Sequence, residues 1–194
     1  MDKKLPIVAI SYDFDGTLAP GNMQEYGFMK ALKTTPKSFW DKSDAYAKEH
    51  CADKNLAYMK TMLTEAKAKK IPLTKETLAK FGEDIRLFKG VEDWFSRINK
   101  WGLEYGIEVQ HYLISSGLKE IVAGCPIAKE FTKVYACSFG YDENGVLRGR
   151  VHPNPDYLYR QLLFQGLSRV REKLAIIVVN NLDVFQKALE IIVK

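Results

Sequence analysis

"LPIVAISYDFDGTLAP", residues 5–20, carries a nearly unbroken apolar run straight into Asp13 and Asp15. Such a run suits a central strand of a parallel sheet, covered on both faces. "GTLAPGN", residues 16–22, holds two Gly and one Pro, so the chain turns there. Two carboxylates placed two residues apart face the same way if the strand continues. Their charges repel, and one takes up a proton unless a cation intervenes. A hard cation such as Mg²⁺ prefers oxygen ligands, takes one or two carboxylates, and leaves room for water and phosphate oxygens. Beside it Asp13 stays ionised and can attack phosphorus, since aspartate nucleophiles form aspartyl-phosphates. Asp15 can protonate the leaving oxygen and later activate water. Gly16 lets the backbone approach an anion closely. The plainer reading makes "DFDG" only a turn, with Asp side chains capping amides. The buried strand before it and Thr17 after it favour chemistry.

Working outward, residues 24–86 carry helical spacing throughout. Thr35-Pro36 reads as a helix start, with Thr as N-cap and Pro at the first helical position. Leu56, Met59, Met62, Leu63 and Ala66 recur on one helical face, and Leu78, Phe81 and Ile85 do so after the N-cap candidate Thr74. These residues read as helix packing, not as a cofactor box. "VEDWFSRINKWG" places Val91, Trp94, Phe95 and Ile98 on one face, with Gly102 near its end. "IEVQHYLIS" is a strand ending at Ser115, "GLKEIVAGC" the next helix, and "VYACSF" (134–139) a third strand. Asn144-Gly145 between strand-like flanks signals a hairpin. Residues 155–173 read as a helix, "LAIIVVN" as a fourth strand, and "DVFQKALEII" as a last helix. The fold class is α/β: a Rossmann-like parallel sheet with right-handed crossovers. Ligands in such sheets bind beyond the carboxyl ends of the strands, where Asp13, Ser115 and Asn180 all fall. Residues 1–19 and 89–194 form the expected core, and 20–88 an inserted helical cap.

"DFDGTL" resembles the first signature of the haloacid dehalogenase-like (HAD) superfamily, DxDGT followed by an apolar residue. The resemblance makes Asp13 the nucleophile and Asp15 the general acid/base. "HYLISSG" is similar to the family's second signature, an apolar strand ending in Ser or Thr. It implies that Ser115, helped by the Ser116 amide, holds a phosphoryl oxygen. Gly16, Thr17 and Gly117 join the substrate-binding set. Ser115 taken alone suits a helix N-cap, and the two readings are compatible because helix N-termini bind anions. The helical segment between the signatures resembles a C1-type cap, which closes over small substrates. The implied activity is a Mg²⁺-dependent phosphatase of small phosphorylated metabolites, working through an aspartyl-phosphate on Asp13.

Two signatures depart from the family. "HPNPDYLY" (152–159) puts His152 where a Lys is expected; a His is only partly charged at neutral pH. The competing reading makes His152 a solvent-facing loop residue. "IIVVNNLDVF" puts Asn180 and Asn181 where acids are expected, with Asp183 the nearby carboxylate. The implied metal set is Asp13, Asp15, Asn180 and Asp183; Asn offers an oxygen without the charge, and Asp183 also suits an N-cap. A catalytically impaired binding protein on the same fold is therefore an alternative, as is a phosphomutase. Dehalogenation is disfavoured, because its enzymes lack the second Asp. The chain stops at "EIIVK", where the family's core continues into another strand; either the chain is truncated or a second copy covers that edge, as in a homodimer.

Composition sets the outer bounds. The chain has 194 residues, 46% hydrophobic and 27% charged, which suits one core with a modest insertion. Lys and Arg number 29 against 24 Asp and Glu, a net charge of +5. Residues 20–88 hold thirteen of the bases and nine of the acids, so +4 lies there. No basic stripe interleaves with aromatics, so nucleic acid is not an expected partner. The apolar runs are too short to span a membrane, and no signal-peptide pattern stands at the start. Cys51, Cys125 and Cys137 show no CxxC and read as free, small core thiols in a reducing cytoplasm. His50 and His111 lack metal-ligand spacing and read as structural. Lys119, a helical turn past Ser115, reads as surface.

Overall fold

The computed structural model describes residues 5–143 and 147–152. Among the described residues four strands form one sheet in the order β1-β2-β3-β4: β1 Ile7–Tyr12, β2 Glu108–Leu118, β3 Lys133–Tyr141 and β4 Leu147–His152. β1, β2 and β3 run parallel, and β4 returns antiparallel to β3, as the Asn-Gly signal predicts. Burial along β1 deepens from Ile7, 46% exposed, to Tyr12, 4% exposed. The strand's entry is therefore open, and its carboxyl end is the buried part. The strand, helix and Asn180–Asp183 readings beyond residue 152 lie outside the described residues.

Between β1 and β2 come a 3-10 turn at Met23–Glu25 and five helices: α1 Gly27–Leu32, α2 Pro36–Glu49, α3 Lys54–Ala68, α4 Lys75–Glu83 and α5 Val91–Glu104. Their starts follow the sequence chemistry. The Thr35 hydroxyl accepts from the Ser38 N–H with Pro36 at the first position, and the Thr74 hydroxyl accepts from Thr77. The Asp53 carboxylate caps α3 by accepting from Asn55 and Leu56. Met59, Met62, Ala66, Leu78 and Ile85 are buried as expected, whereas Leu56, on the first turn of α3, is 37% exposed. Cys125 and Cys137 are buried free thiols. Cys51 is not a core residue: it lies exposed just past α2 with φ 48.

β2 is longer than its pattern suggests. It continues through Ser115 to Leu118, and the following helix, α6, spans only Lys119–Ala123. One core joins Phe14, Phe28, Phe39 and Phe95 with Leu113, Leu118 and Ile121, so the helices after β1 share their burial with the sheet.

Candidate active site

β1 is pinned where it ends. The Trp94 indole N–H donates to the Tyr12 hydroxyl at 2.8 Å. An indole nitrogen only donates, so the Tyr12 proton is left for His111 Nδ1, also at 2.8 Å. His111 Nε2–H then reaches Asn99 Oδ1 at 2.9 Å. This chain ties α5 to β1 and β2 one residue before Asp13. It confirms His111 as structural; burial pushes its pKa down to about 4, so the ring is neutral.

Beyond Tyr12 the side chains alternate. Asp13 is exposed, Phe14 is fully buried, and Asp15 is half-buried. The Phe14 carbonyl accepts from Thr17, Leu18 and Ala19, and the Gly16 N–H donates to Ala19 O at 2.8 Å. Gly16 has φ +76, the left-handed conformation that favours glycine, with open space where a Cβ would stand. Asp15 Oδ1 accepts the Met23 N–H at 2.8 Å. Burial raises the Asp15 pKa to about 7; the Met23 bond opposes the rise, while the charges of Asp13 and Glu25 add to it. A carboxyl poised near neutrality can both give and accept a proton.

Ser115 follows on the neighbouring strand. Tyr12 pairs with Leu113, so β2 passes Asp13 just before it reaches Ser115. From Ile114 to Leu118 β2 advances four residues while β3 advances two, Tyr135 to Cys137. The surplus is a bulge at 115–117, a device that re-aims side chains beside sites. Ser115 is 2% exposed, and its Oγ accepts from the Gly117 N–H at 3.0 Å. It does not cap α6, whose N-cap is Leu118. Two residues from before β2 hold the bulge. The Tyr58 hydroxyl on α3 donates to the Ser116 carbonyl at 2.7 Å. Met23, fully buried, receives the Leu118 N–H on its sulfur at 3.2 Å. A Cβ on Gly117 would lie 2.2 Å from Met23 Cε, so a larger residue there would push the Met23 side chain aside. Met23 thus holds Asp15 with its backbone and the bulge with its side chain.

Asp15, Ser116 and Gly117 open on a pocket of about 270 Å³, walled otherwise by residues of the 22–58 segment. Glu25 Oε1 accepts from Asn22 at 2.7 Å and from the Trp40 indole at 2.8 Å. Lys54 stands 3.5 Å from Asp44. Gln24 is 2% exposed, and its Oε1 has no hydrogen-bond partner.

The structure therefore gathers Asp13, Asp15, Gly16, Thr17 and Ser115–Gly117 at adjoining strand ends. The amides of Gly16, Thr17 and Gly117 already donate within the chain. His152 closes β4 opposite Ser138, so it belongs to a strand and not to a loop. Among the described residues no group of three or more His, Cys, Asp or Glu could hold a metal. Asp13 and Asp15 still match a hard cation, because both offer carboxylate oxygen and Asp15 carries the repulsion of its neighbour. Met23, Gln24 and Tyr58 were not legible as site residues; only the turn signals around Pro20 and Gly21 hinted that the chain doubles back there.

The chain covers 94% of its length on a HAD-family hydrolase from Salmonella enterica subsp. enterica serovar Typhi, with TM-score 0.58, 17% identity and 60% of that chain covered. It has the HAD fold. A phosphoserine phosphatase carrying a phospho-aspartyl intermediate analogue shares that fold at TM-score 0.51 and 16% identity, over 83% of this chain and 73% of the other. An uncharacterised protein of Borreliella burgdorferi is 30% identical over 151 residues, 72% of this chain. The chain spans about half the length of that curated relative, 52%. No protein-family model matches. Within the described HAD-fold residues no helix is long and apolar enough to cross a membrane.

Proposed function

We propose that the chain is a phosphatase of small phosphorylated metabolites, with Asp13 as nucleophile and Asp15 as general acid/base. The observation that carries this reading is the pair at the end of β1: an exposed carboxylate, and two residues on a half-buried carboxyl held near pH 7. An Asp13 oxygen attacks phosphorus, the bond from phosphorus to the ester oxygen breaks, and Asp15 gives its proton to the departing alkoxide. Water then attacks the aspartyl-phosphate, Asp15 takes the proton back, and phosphate leaves. Ser115 accepts one bond from Gly117, which leaves its own hydroxyl proton for a phosphoryl oxygen. Mg²⁺, which Asp13 and, from the sequence, Asn180 and Asp183 would hold, would offset the repulsion between the Asp13 carboxylate and the phosphate dianion, while Asp15 keeps its proton for the leaving group. The helices over residues 20–88 act as the cap of the C1 type, and Tyr58 seats it on the bulge. His152 is the candidate for the remaining cationic position.

The deciding assay is turnover of p-nitrophenyl phosphate with Mg²⁺ and with a chelator. We expect Mg²⁺-dependent release of nitrophenol that Asp13→Asn abolishes. Undiminished turnover by Asp13→Asn would remove Asp13 from the mechanism. Asn180 and Asn181, standing in place of acids, favour the second reading, an impaired binding protein. Under that reading calorimetry detects no Mg²⁺ binding, and Asn180→Asp restores it.

A further inference from the structure

Two uncharged side chains in the pocket beside Asp15 are buried with hydrogen-bonding atoms to spare. Gln24, in the 3-10 turn, is 2% exposed, and Ser43, on α2, is 4% exposed. Gln24 Oε1 is sealed and has no partner, so the open end of that amide is Nε2, which only donates. The Ser43 Oγ is not sealed; it opens on the same pocket and can donate or accept. Among the described residues neither Gln24 Nε2 nor Ser43 Oγ has a partner in the chain. Asn22 and Trp40, by contrast, are committed to Glu25, and Tyr58 to the Ser116 carbonyl. A group that displaces water from such atoms loses affinity unless it reproduces the water's hydrogen bonds. Gln24 asks for an acceptor, and Ser43 takes either kind.

Charge decides which acceptor. Among the described residues lining the pocket the one cation is Lys54, and it stands 3.5 Å from Asp44. Asp15 and Asp44 supply carboxyl groups to the wall, and Glu25 holds Asn22 and Trp40 beside them. A carboxylate or a second phosphate on the substrate would meet this acidic surround with no uncommitted cation to balance it. A hydroxyl oxygen accepts from Gln24 without that cost.

We infer that Gln24 and Ser43 select an uncharged, polyhydroxylated alcohol half: one substrate hydroxyl accepts from Gln24 Nε2, and another pairs with the Ser43 Oγ. This rests on the phosphatase reading above and makes the preferred substrate a polyol or sugar phosphate with a single phosphoryl group.

The test compares kcat/KM for n-propyl phosphate, glycerol 3-phosphate, ribitol 5-phosphate and 3-phosphoglycerate. Propyl phosphate is the glycerol ester without its free hydroxyls, and 3-phosphoglycerate carries a carboxylate in place of the terminal hydroxymethyl group. In the wild type the better polyol ester outruns propyl phosphate by about tenfold or more, and 3-phosphoglycerate falls below glycerol 3-phosphate. Gln24→Leu lowers the ratio of the better polyol ester to propyl phosphate about tenfold, and Ser43→Ala lowers it several-fold. Gln24→Glu puts an acceptor where the donor stood and lowers the ratio at least as far. A ratio is read within one preparation, so a partly folded variant does not distort it. A smaller wild-type advantage, a preference for 3-phosphoglycerate, or a ratio that any of the three variants leaves unchanged overturns the assignment while the phosphatase reading stands. If no ester is turned over, the phosphatase reading fails, and the pocket is judged by calorimetric binding of ribitol 5-phosphate. Binding that Gln24→Leu weakens about tenfold supports the assignment; no binding, or equal binding by both proteins, overturns it.

Discussion

Met23 shows how one residue can serve two loops at once. Its N–H fixes the rotamer of Asp15, and its sulfur and methyl lie against the 115–118 segment. The side chain is fully buried, so Met23→Ala should destabilise the fold by about 2–5 kcal/mol in urea unfolding. Met23→Leu is the sharper probe. It keeps most of the volume and should cost less than about 1.5 kcal/mol. It also removes the sulfur that the Leu118 N–H reaches, so the bulge loosens while the core stays filled. We expect phosphate-ester turnover several-fold below wild type at a stability close to it. Wild-type turnover by Met23→Leu would show that the sulfur does not hold the bulge.

Among the elements, α4 and α6 approach until their backbones touch. A Cβ on Gly82 would stand 2.0 Å from the Ile121 carbonyl oxygen, and one on Gly124 would stand 1.7 Å from that of Ala79. Helix propensity alone favours alanine over an interior glycine by up to about 1 kcal/mol. Overpacking opposes it by about 1–3 kcal/mol. Gly82→Ala should therefore destabilise, visible as a lower urea midpoint; a stabilised variant would mean that the two helices have room to part. The same contrast explains what the sequence could reveal. Thr35-Pro36 and Thr74 announce helix starts because capping is chemistry between near neighbours. Asp13 and Asp15 were legible because they are two residues apart at the end of an apolar run. The continuation of β2 past Ser115 was not, because Met23 and Tyr58 hold that segment from 95 and 58 residues away, counting Met23 to Leu118 and Tyr58 to Ser116. Gln24 was hidden for the same reason: nothing local marks a glutamine whose amide faces a pocket built by other segments.

At the scale of the whole molecule, the chain from Trp94 through Tyr12 and His111 to Asn99 makes stability depend on pH. A protonated His111 would have two donors where Tyr12 also donates, so the folded protein holds the ring neutral. Burial pushes its pKa down to about 4 in the fold from the ordinary imidazole value of 6.5. Between those values the unfolded state binds the extra proton, so stability falls as pH drops. The stabilisation is fully present above about pH 6.5 and is lost by about pH 4, a change of roughly 3 kcal/mol. Asp15 works in the opposite sense. Its folded pKa is raised to about 7 from 3.8, so its contribution is full at low pH and disappears as pH rises through 7. A single profile mixes the two, and a variant separates them. His111→Gln keeps one acceptor and one donor facing Tyr12 and Asn99 but does not titrate in this range. Urea midpoints measured from pH 8 to pH 4 should fall more steeply for the wild type, by one proton, and the two curves should converge in the acid. Parallel curves would place the acid sensitivity elsewhere and leave the polar chain as packing alone.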